Sequence, residues 1–598
     1  MPRFRAFIPA TAIVVAFTVP LLVSKHTLPL ATFYGEWTAG VLGVLLVCLL
    51  ALRRPAAPGE RSRLLPWIAL LPLWLILTTL LQSAAGMPDI TGSRLTTQIV
   101  LALGSTMMFA AWRTGQGLST DERADIVDAV AIAFLAAGLL GTLAQWVQVF
   151  HMEDQMFGLV SEYFYGTNRR LWGNLNQPNH QATIHGLGLV AAIWLARRDK
   201  LGFPAWLAAM LLLESGIVLS GSRTGLVHIG LAAVYALIAA AMARRQPRGP
   251  NPMNRAPGLI LAAGLLVVGI VVLQPVIKAA GQAFDWQLFD AVAQLKAGDQ
   301  VSARGALWAH ALAMFRAHPL FGVGYGEFGW MQFQQMSQLR VIAEMSLHAH
   351  NAILDLLAKT GLIGTAGVGI LLLGWFWRVV RDRLWRAASA ERPQTVVILV
   401  WLAMVGAHSM LEYPLHYLYV FLPFCFLLAW LEPSGFGKIR IPRTMSMLTG
   451  VGFVILSAVV LVTLWQDYRR IEAREYASDE RRDSLPMPRH WFRQHALSEA
   501  TERAVITPDN AAGLLPEHIA ALHLLPTPNL IGRTAWLLAL TGETDRARLW
   551  MERLRYYYQG DEATQFNTLD RACDEVAAAH RPRDFCAWVR VRARRGYS

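Results

Sequence analysis

The chain has 598 residues, of which 54% are hydrophobic and only 16% charged, a balance too apolar for a soluble chain of this length and one that selects the integral membrane class. A formal net charge of +13 can point to nucleic acid, but here the Lys and Arg residues fall in short clusters between apolar runs, which is the footprint of membrane topology. No basic face with interleaved aromatics occurs, so no nucleic-acid partner is expected.

In chain order, Arg3 and Arg5 precede a long apolar stretch that leads into further spans and reads as a retained first helix, not a cleaved signal peptide. A spanning helix needs ~20 mainly apolar residues. Segments that meet this test begin near Phe7, Thr38, Leu64, Leu95, Ile126, Gln181, Pro204, Thr224, Pro257, Gly361, Thr395, Leu415 and Ser446. Arg53, Arg54, Arg61 and Arg63 follow the second, Arg197, Arg198 and Lys200 the sixth, and Arg244, Arg245, Arg248 and Arg255 the eighth. Arg378, Arg381, Arg383 and Arg386, then Lys438, Arg440 and Arg443, lie at later even-numbered exits. By the positive-inside rule these loops and the N-terminus are cytoplasmic, and an odd number of spans leaves the tail in the periplasm.

The expected fold is therefore all-α: a polytopic membrane protein with about 13 transmembrane helices, a large periplasmic loop and a C-terminal periplasmic helical domain. The divisions are 1–276, N-terminal transmembrane helices; 277–349, the loop; 350–465, C-terminal transmembrane helices; and 466–598, the tail domain. In the loop, Leu307, Trp308, Ala311, Leu312 and Phe315 recur with a helical period and predict an amphipathic helix on the membrane surface. In the tail, TAWLLALTGETDRARLWMERL resembles one tetratricopeptide-like hairpin, with Gly542 at the turn and Ala547 at the close-packing position. Cys573 and Cys586 lie there too, where export would permit a disulfide. No zinc-type CxxC pair occurs.

Polar groups at membrane depth are costly, so their placement is informative. Asn174, Asn176, Gln177, Asn179 and His180 enter the sixth span, Arg223 follows the seventh in SGSRTG, and Arg304 opens the loop helix. His348, His350 and Asn351 open the tenth span, and HSMLEYPLHYLY with Glu412, Tyr413 and His416 ends the eleventh. Each has a plainer reading: helix cap, snorkelling arginine, solvated cation or interfacial turn. Their common outward side instead suggests a site for an anionic, sugar-bearing substrate. His348 and His350 do not make a metal pair on a helix, because residues two apart do not share a face.

His350 and Asn351, followed after nine residues by Gly361 and after two more by Gly364, form the His-Asn signature that resembles the O-antigen ligase and polymerase superfamily. SGSR at 220–223 and ARGALW...FRAHPLFGVGYGEF at 303–328 resemble its core, while GNLNQPNHQAT at 173–183 and the long tail resemble its protein O-oligosaccharyltransferase branch. The resemblance implies transfer of a preassembled glycan from undecaprenyl diphosphate to a protein Ser/Thr hydroxyl, on pilin or another periplasmic acceptor, at the inner membrane, with no metal or other cofactor. It implies His350 as the essential histidine, Arg223 and Arg304 as diphosphate ligands, and Gln177 as a substrate ligand; Tyr413 follows on a shorter motif. Asn179, His180, Asn351, Glu412 and His416 join the expected substrate-binding set. The chemistry agrees. Two guanidiniums give bidentate, permanently charged donors for a leaving diphosphate, and an imidazole is suited to take the proton of an attacking hydroxyl.

The alternatives are an O-antigen ligase, with lipid A core as acceptor, or an O-antigen polymerase. A transporter or flippase is more distant, since no inverted repeat is visible and only Glu214 and His228 are ionisable near span centres. A non-catalytic scaffold would not need the two arginines and His350.

Overall fold

The computed structural model describes residues 2–52, 63–244, 251–289, 303–343, 345–438, 443–557 and 561–594. Nine helices fill the first half: α1 (Pro2–Thr18), α2 (Phe33–Ala51), α3 (Leu70–Ala84), α4 (Ser93–Gly115), α5 (Thr120–Val149), α6 (Pro178–Arg197), α7 (Phe203–Ser220), α8 (Arg223–Ala243) and α9 (Ala256–Ala283). Among the described residues of the long loop, α10 (Ala303–Ala317) and α11 (Phe328–Leu339) follow, then α12 (Ala352–Val379), α13 (Arg392–Ser409), α14 (Leu418–Leu431) and α15 (Arg443–Glu475). The tail holds seven helices more, α16 (Asp479–Arg482) through α22 (Arg583–Arg594).

The protein is an all-α polytopic membrane protein. Among the described residues, nine helical stretches are long and apolar enough to span, and Pro9–Leu22 and Leu418–Leu431 are shorter apolar helices. The two other segments expected to span are α6 and α13. The sequence of α6 is polar for a spanning helix because it meets no lipid: every residue from Asn179 to Ala196 is buried, with α5, α7, α8 and α13 packed round it. Polar side chains are tolerated at membrane depth when protein supplies their partners. Thus the His185 Nε2 lies 2.8 Å from Gln145 Oε1, and His408 Nδ1 lies 2.8 Å from Thr183 Oγ1.

Arg63–Pro66 and Gly435–Lys438 form a short antiparallel clasp that pairs Arg63 with Lys438, and Arg378 binds Glu432 at 2.9 Å. The His-Asn motif stands at the other end of α12, roughly 40 Å of helix away.

That helix is broken. Gly361 has φ +62°, a left-handed conformation open to glycine, and a Cβ there would lie 2.4 Å from the backbone of Leu320. Segment 319–324 lies against the break: Leu362 N–H donates to Pro319 O, Val323 N–H to Ala358 O and Gly324 N–H to Lys359 O, at 2.8 to 3.0 Å. The Gln82 amide donates to Phe321 O and Lys359 O. These bonds satisfy the backbone groups that a broken helix exposes, which membrane depth requires. Gly361 of the signature and Gly322 of PLFGVG therefore have one cause, a close crossing of two backbones.

The expected amphipathic helix exists, but its buried stripe is Ala306, Leu307, His310, Ala311 and Met314, and Ala311 and Met314 pack with Phe328, Ala349 and Ala358. Trp308, Leu312 and Phe315 are only half-buried. Its inner face thus meets protein, because the break in α12 offers apolar surface closer than lipid.

In the tail, Pro528–Leu540 and Thr544–Tyr557 form the hairpin, with Gly542 at φ +88° and Ala547 fully buried. The hairpin docks on α11. Phe333 and Met336 share a core with Trp550, Met551 and Leu554, and Arg553 donates to Gln334 Oε1 at 2.7 Å. Each such large apolar side chain contributes about 1.5 to 3 kcal/mol when fully buried from water. Cys573 and Cys586 form a disulfide.

Candidate active site

The site grows from four chain segments that end on the same face as His350. The first is the turn before α6. Gln177 is the helix cap: its side-chain oxygen accepts from the N–H groups of Asn179 at 2.6 Å and His180 at 3.4 Å. This cap aims Asn179 outward, where Oδ1 accepts from the Arg170 guanidinium at 2.9 Å and Ser222 Oγ at 2.8 Å. Its Nδ2 donates to Glu412 Oε1 at 3.0 Å.

Glu412, in the turn after α13, is the hub. It is 5% exposed. Besides Asn179, Oε1 accepts from Arg304 at 2.7 Å, and Oε2 lies 2.7 Å from His350 Nδ1. Burial alone would raise this carboxyl, but His350 and Arg304 more than offset it, so its pKa falls below the ordinary value. His350 has φ +51°, an uncommon conformation for a residue with a side chain. Asn351 caps α12, accepting from Ile353 and Leu354 N–H at 3.1 Å each, and its amide donates to Met410 O. With its neighbour fixed as a cap and Nδ1 tied to Glu412, the His350 ring turns Nε2 away from the carboxylate.

Tyr413 stands beside it, ring edge to face at 4.8 Å, and the other side of Tyr413 is stacked on His348 at 4.4 Å. Burial, then Glu412, raises the Tyr413 phenol. His348 and His350 are not helical and point to different partners, Lys359 and Glu412, while both rings touch Tyr413. His416 Nε2 lies 3.4 Å from Asp355 Oδ2.

These groups line a cleft of about 3160 Å³, counting its open mouth. Arg223, Arg304, Asn179, His350, Glu412, Tyr413 and His416, all expected from the sequence, come together there. Three expected ligands stand elsewhere. The oxygen of Gln177 is committed to the cap, Asn351 is a cap as well, and His180 is buried behind the cleft with Nδ1 2.9 Å from the Tyr419 hydroxyl. His180 sits one residue past Asn179, and a helix turns that position by about 100°, which sends it inward.

Sequence reasoning missed Arg170, which lines the same cleft. Burial lowers its pKa, and Arg223 and Arg304 lower it further while Glu412 opposes them, so the three arginines share one field. The signal was the pair Arg169 and Arg170, which looks interfacial; Arg169 is instead a buried strut, donating to the carbonyls of Gln148 and Trp286. From this cationic corner the cleft runs to a wall of Phe33, Trp37, Trp491 and Phe492 and to Val100, Leu461 and Leu464 on apolar helices.

Among the described residues, His348, Asp355 and His416 hold possible metal-ligating atoms within 4.8 Å of one another. The Lys359 ammonium already lies 2.7 Å from His348 Nδ1 and 2.9 Å from Asp355 Oδ2, so the trio's charge is met by a side chain.

Residues 207–369 match the family model described as O-antigen ligase, 171–196 that described as protein glycosylation ligase, and 396–570 that described as the C-terminal part of a virulence factor membrane-bound polymerase. Over these stretches the chain is similar to the O-antigen ligase superfamily. It is 25% identical to the general O-oligosaccharyltransferase of Acinetobacter baylyi over 460 residues, 76% of this chain and 74% of that one. It is also 22% identical to that organism's ComP-specific O-oligosaccharyltransferase, over 52% of each chain. The three matched stretches converge on the cleft: the first in chain order supplies Asn179, the second Arg223, Arg304 and His350, and the third Glu412, Tyr413 and His416.

Proposed function

We propose that this protein transfers a preassembled glycan from undecaprenyl diphosphate to a Ser or Thr hydroxyl of a periplasmic acceptor protein, pilin being the type case, with inversion and without a metal ion. The observation that carries the reading is the convergence of three arginines and a carboxylate-bound histidine in one cleft that also has an apolar wall. A lipid-linked diphosphate needs this combination of fixed positive charge and hydrocarbon surface. The names of the two relatives favour protein as acceptor.

In the proposed step His350 Nε2 takes the proton of the acceptor hydroxyl as its oxygen bonds to the anomeric carbon. The bond from that carbon to the phosphate oxygen breaks, and the lipid diphosphate leaves with the electron pair. Arg170, Arg223 and Arg304 stabilise the charge that develops there. Glu412 keeps the proton of His350 on Nδ1 and stabilises the imidazolium, while Asn179 and Tyr413 hold Glu412 and the ring in place. His416, which lines the same cleft, binds the sugar.

The same proposal puts the protein in the bacterial inner membrane, with the N-terminus and basic loops in the cytoplasm and the cleft and 466–598 in the periplasm. The disulfide supports this side for the tail, since disulfides persist in oxidising compartments. The four divisions given above stand as part of this proposal, with the tail forming one wall of the cleft and presenting the acceptor.

The test is a host that makes a lipid-linked oligosaccharide and offers three acceptors: a pilin-like protein, lipid A core and further lipid-linked repeats. Glycan on the pilin-like protein supports the proposal. Glycan on lipid A core alone, or lengthened lipid-linked chains alone, would replace it with the ligase or the polymerase reading.

A further inference from the structure

The proposed step leaves one buried ion pair beside the cleft without a task. Lys359 is 1% exposed and Asp355 6% exposed, one helical turn apart on α12 just before the break at Gly361. Removing two charges from water costs several kcal/mol per ion even after relaxation, and apolar side chains could fill this volume. The contacts indicate what apolar side chains could not do.

Asp355 Oδ1 accepts from the N–H of Ala349 at 2.9 Å, the residue just before His350. Its Oδ2 binds Lys359 at 2.9 Å and faces His416 Nε2 at 3.4 Å. Lys359 also reaches His348 Nδ1 at 2.7 Å. An ammonium has only protons to give, so His348 Nδ1 is the acceptor and the ring is held neutral with its proton on Nε2. The same ring is stacked on Tyr413, whose edge meets His350. One carboxylate and one ammonium thus fix both the segment that carries His350 and the segment that carries Tyr413 and His416.

We infer that Asp355 and Lys359 are positioning residues for the transfer step, acting on His350 through Ala349 on one path and through His348 and Tyr413 on the other. Lys359 serves as a built-in cation where two imidazoles and a carboxylate would otherwise repel or collapse. The inference rests on the reading of the cleft as a transfer site.

The consequence is a pH signature. Burial, then Lys359 and His416, whose ring lies 4.1 Å away, hold His348 well below its ordinary pKa, while Asp355 favours its charged form. Without Lys359 one lowering cause is gone while burial and His416 still oppose the charge and Asp355 still favours it, so His348 becomes easier to protonate as pH falls. The charged ring would bind Asp355 itself and draw away from Tyr413.

The experiment compares native protein, Lys359→Met and Lys359→Arg in glycan transfer to a pilin-like acceptor from pH 5.5 to 8.5, a range spanning the ordinary histidine pKa of about 6.5. The expected result for Lys359→Met is a kcat at least about tenfold lower with KM for the lipid donor within about twofold, and a new loss of rate toward acid pH; Lys359→Arg restores most of the rate and removes the acid limb. If Lys359→Met does not accumulate in the membrane, Lys359→Gln, which keeps one N–H for His348 and removes the charge, is measured the same way. A variant with native kcat and native pH profile overturns the inference and leaves the transfer reading intact. A change in KM alone, or equal loss at every pH with no rescue by Arg, also overturns it, because that is what a merely structural pair would give. If native protein transfers nothing to any acceptor, the transfer reading fails first, and this inference with it.

Discussion

Glu412→Gln separates a site that is assembled from one that works. The substitution preserves size at a 5% exposed position, but the carboxylate accepts from or pairs with three groups: Asn179 at 3.0 Å, Arg304 at 2.7 Å and His350 at 2.7 Å. An amide has one acceptor oxygen. If that oxygen stays on Arg304 and Asn179, the NH₂ faces His350 Nδ1, which must then accept; the proton moves to Nε2, and the nitrogen facing the acceptor hydroxyl is no longer a base. Losing a hydrogen bond to a charged group costs about 1.5 to 3 kcal/mol, a roughly tenfold to 150-fold fall in rate. The sign with pH follows from the lowered pKa of Glu412. Its contribution is present above the ordinary carboxylate range and is lost only as pH falls through the lowered value, so native activity should hold below pH ~4.3 as far as this group is concerned. Glu412→Gln should show no step there. Transfer is read as the mass gained by intact acceptor at matched expression, with initial rates at saturating donor. A Gln variant within twofold of native would refute the role given to Glu412.

Arg170→Met should raise the KM for the lipid-linked donor and lower kcat, each by about tenfold or more as a charge-assisted contact is lost, whereas Arg169→Met should lower yield of folded protein; donor titrations and membrane yield tell the two apart. Gly361→Ala places a Cβ 2.4 Å from the backbone of Leu320 at φ +62°, so it should lower the melting temperature in detergent and cost more than the ~1 to 2 kcal/mol of a left-handed alanine. Cys573→Ser should destabilise the tail by about 3 kcal/mol, seen as faster proteolysis of the 561–594 region and matched by reductant acting on the native protein.

The membrane class, the sidedness of the polar groups and the His-Asn signature were legible because each is dictated by local chemistry. The spacing from His350 to Gly361 is the distance from a helix cap to a helix break, and only glycine fits where Leu320 crosses. Arg223 and Arg304 were legible from sidedness. What could not be read is the direction of neighbouring side chains: Gln177 and His180 share the outward segment with Asn179, yet one is a cap and the other is turned inward by the helix. Asp355 and Lys359 carry no sequence signal beyond their spacing of one helical turn, since nothing in the sequence says that both are buried beside His348. Arg170 was hidden by Arg169, whose identical side chain supports the backbone. α6 departed from the pattern of an apolar span for a tertiary reason, its enclosure by four helices.

The most direct test of the central claim uses purified protein in liposomes with undecaprenyl-diphosphate-linked oligosaccharide and a pilin-like acceptor, native beside His350→Ala, with the acceptor mass followed in time. The native protein should add one glycan mass to a Ser or Thr, and the variant should do so at a rate at least about a hundredfold lower. Native rates in His350→Ala, or no mass gain with native protein while the lipid-linked donor is consumed on another acceptor, would contradict the claim.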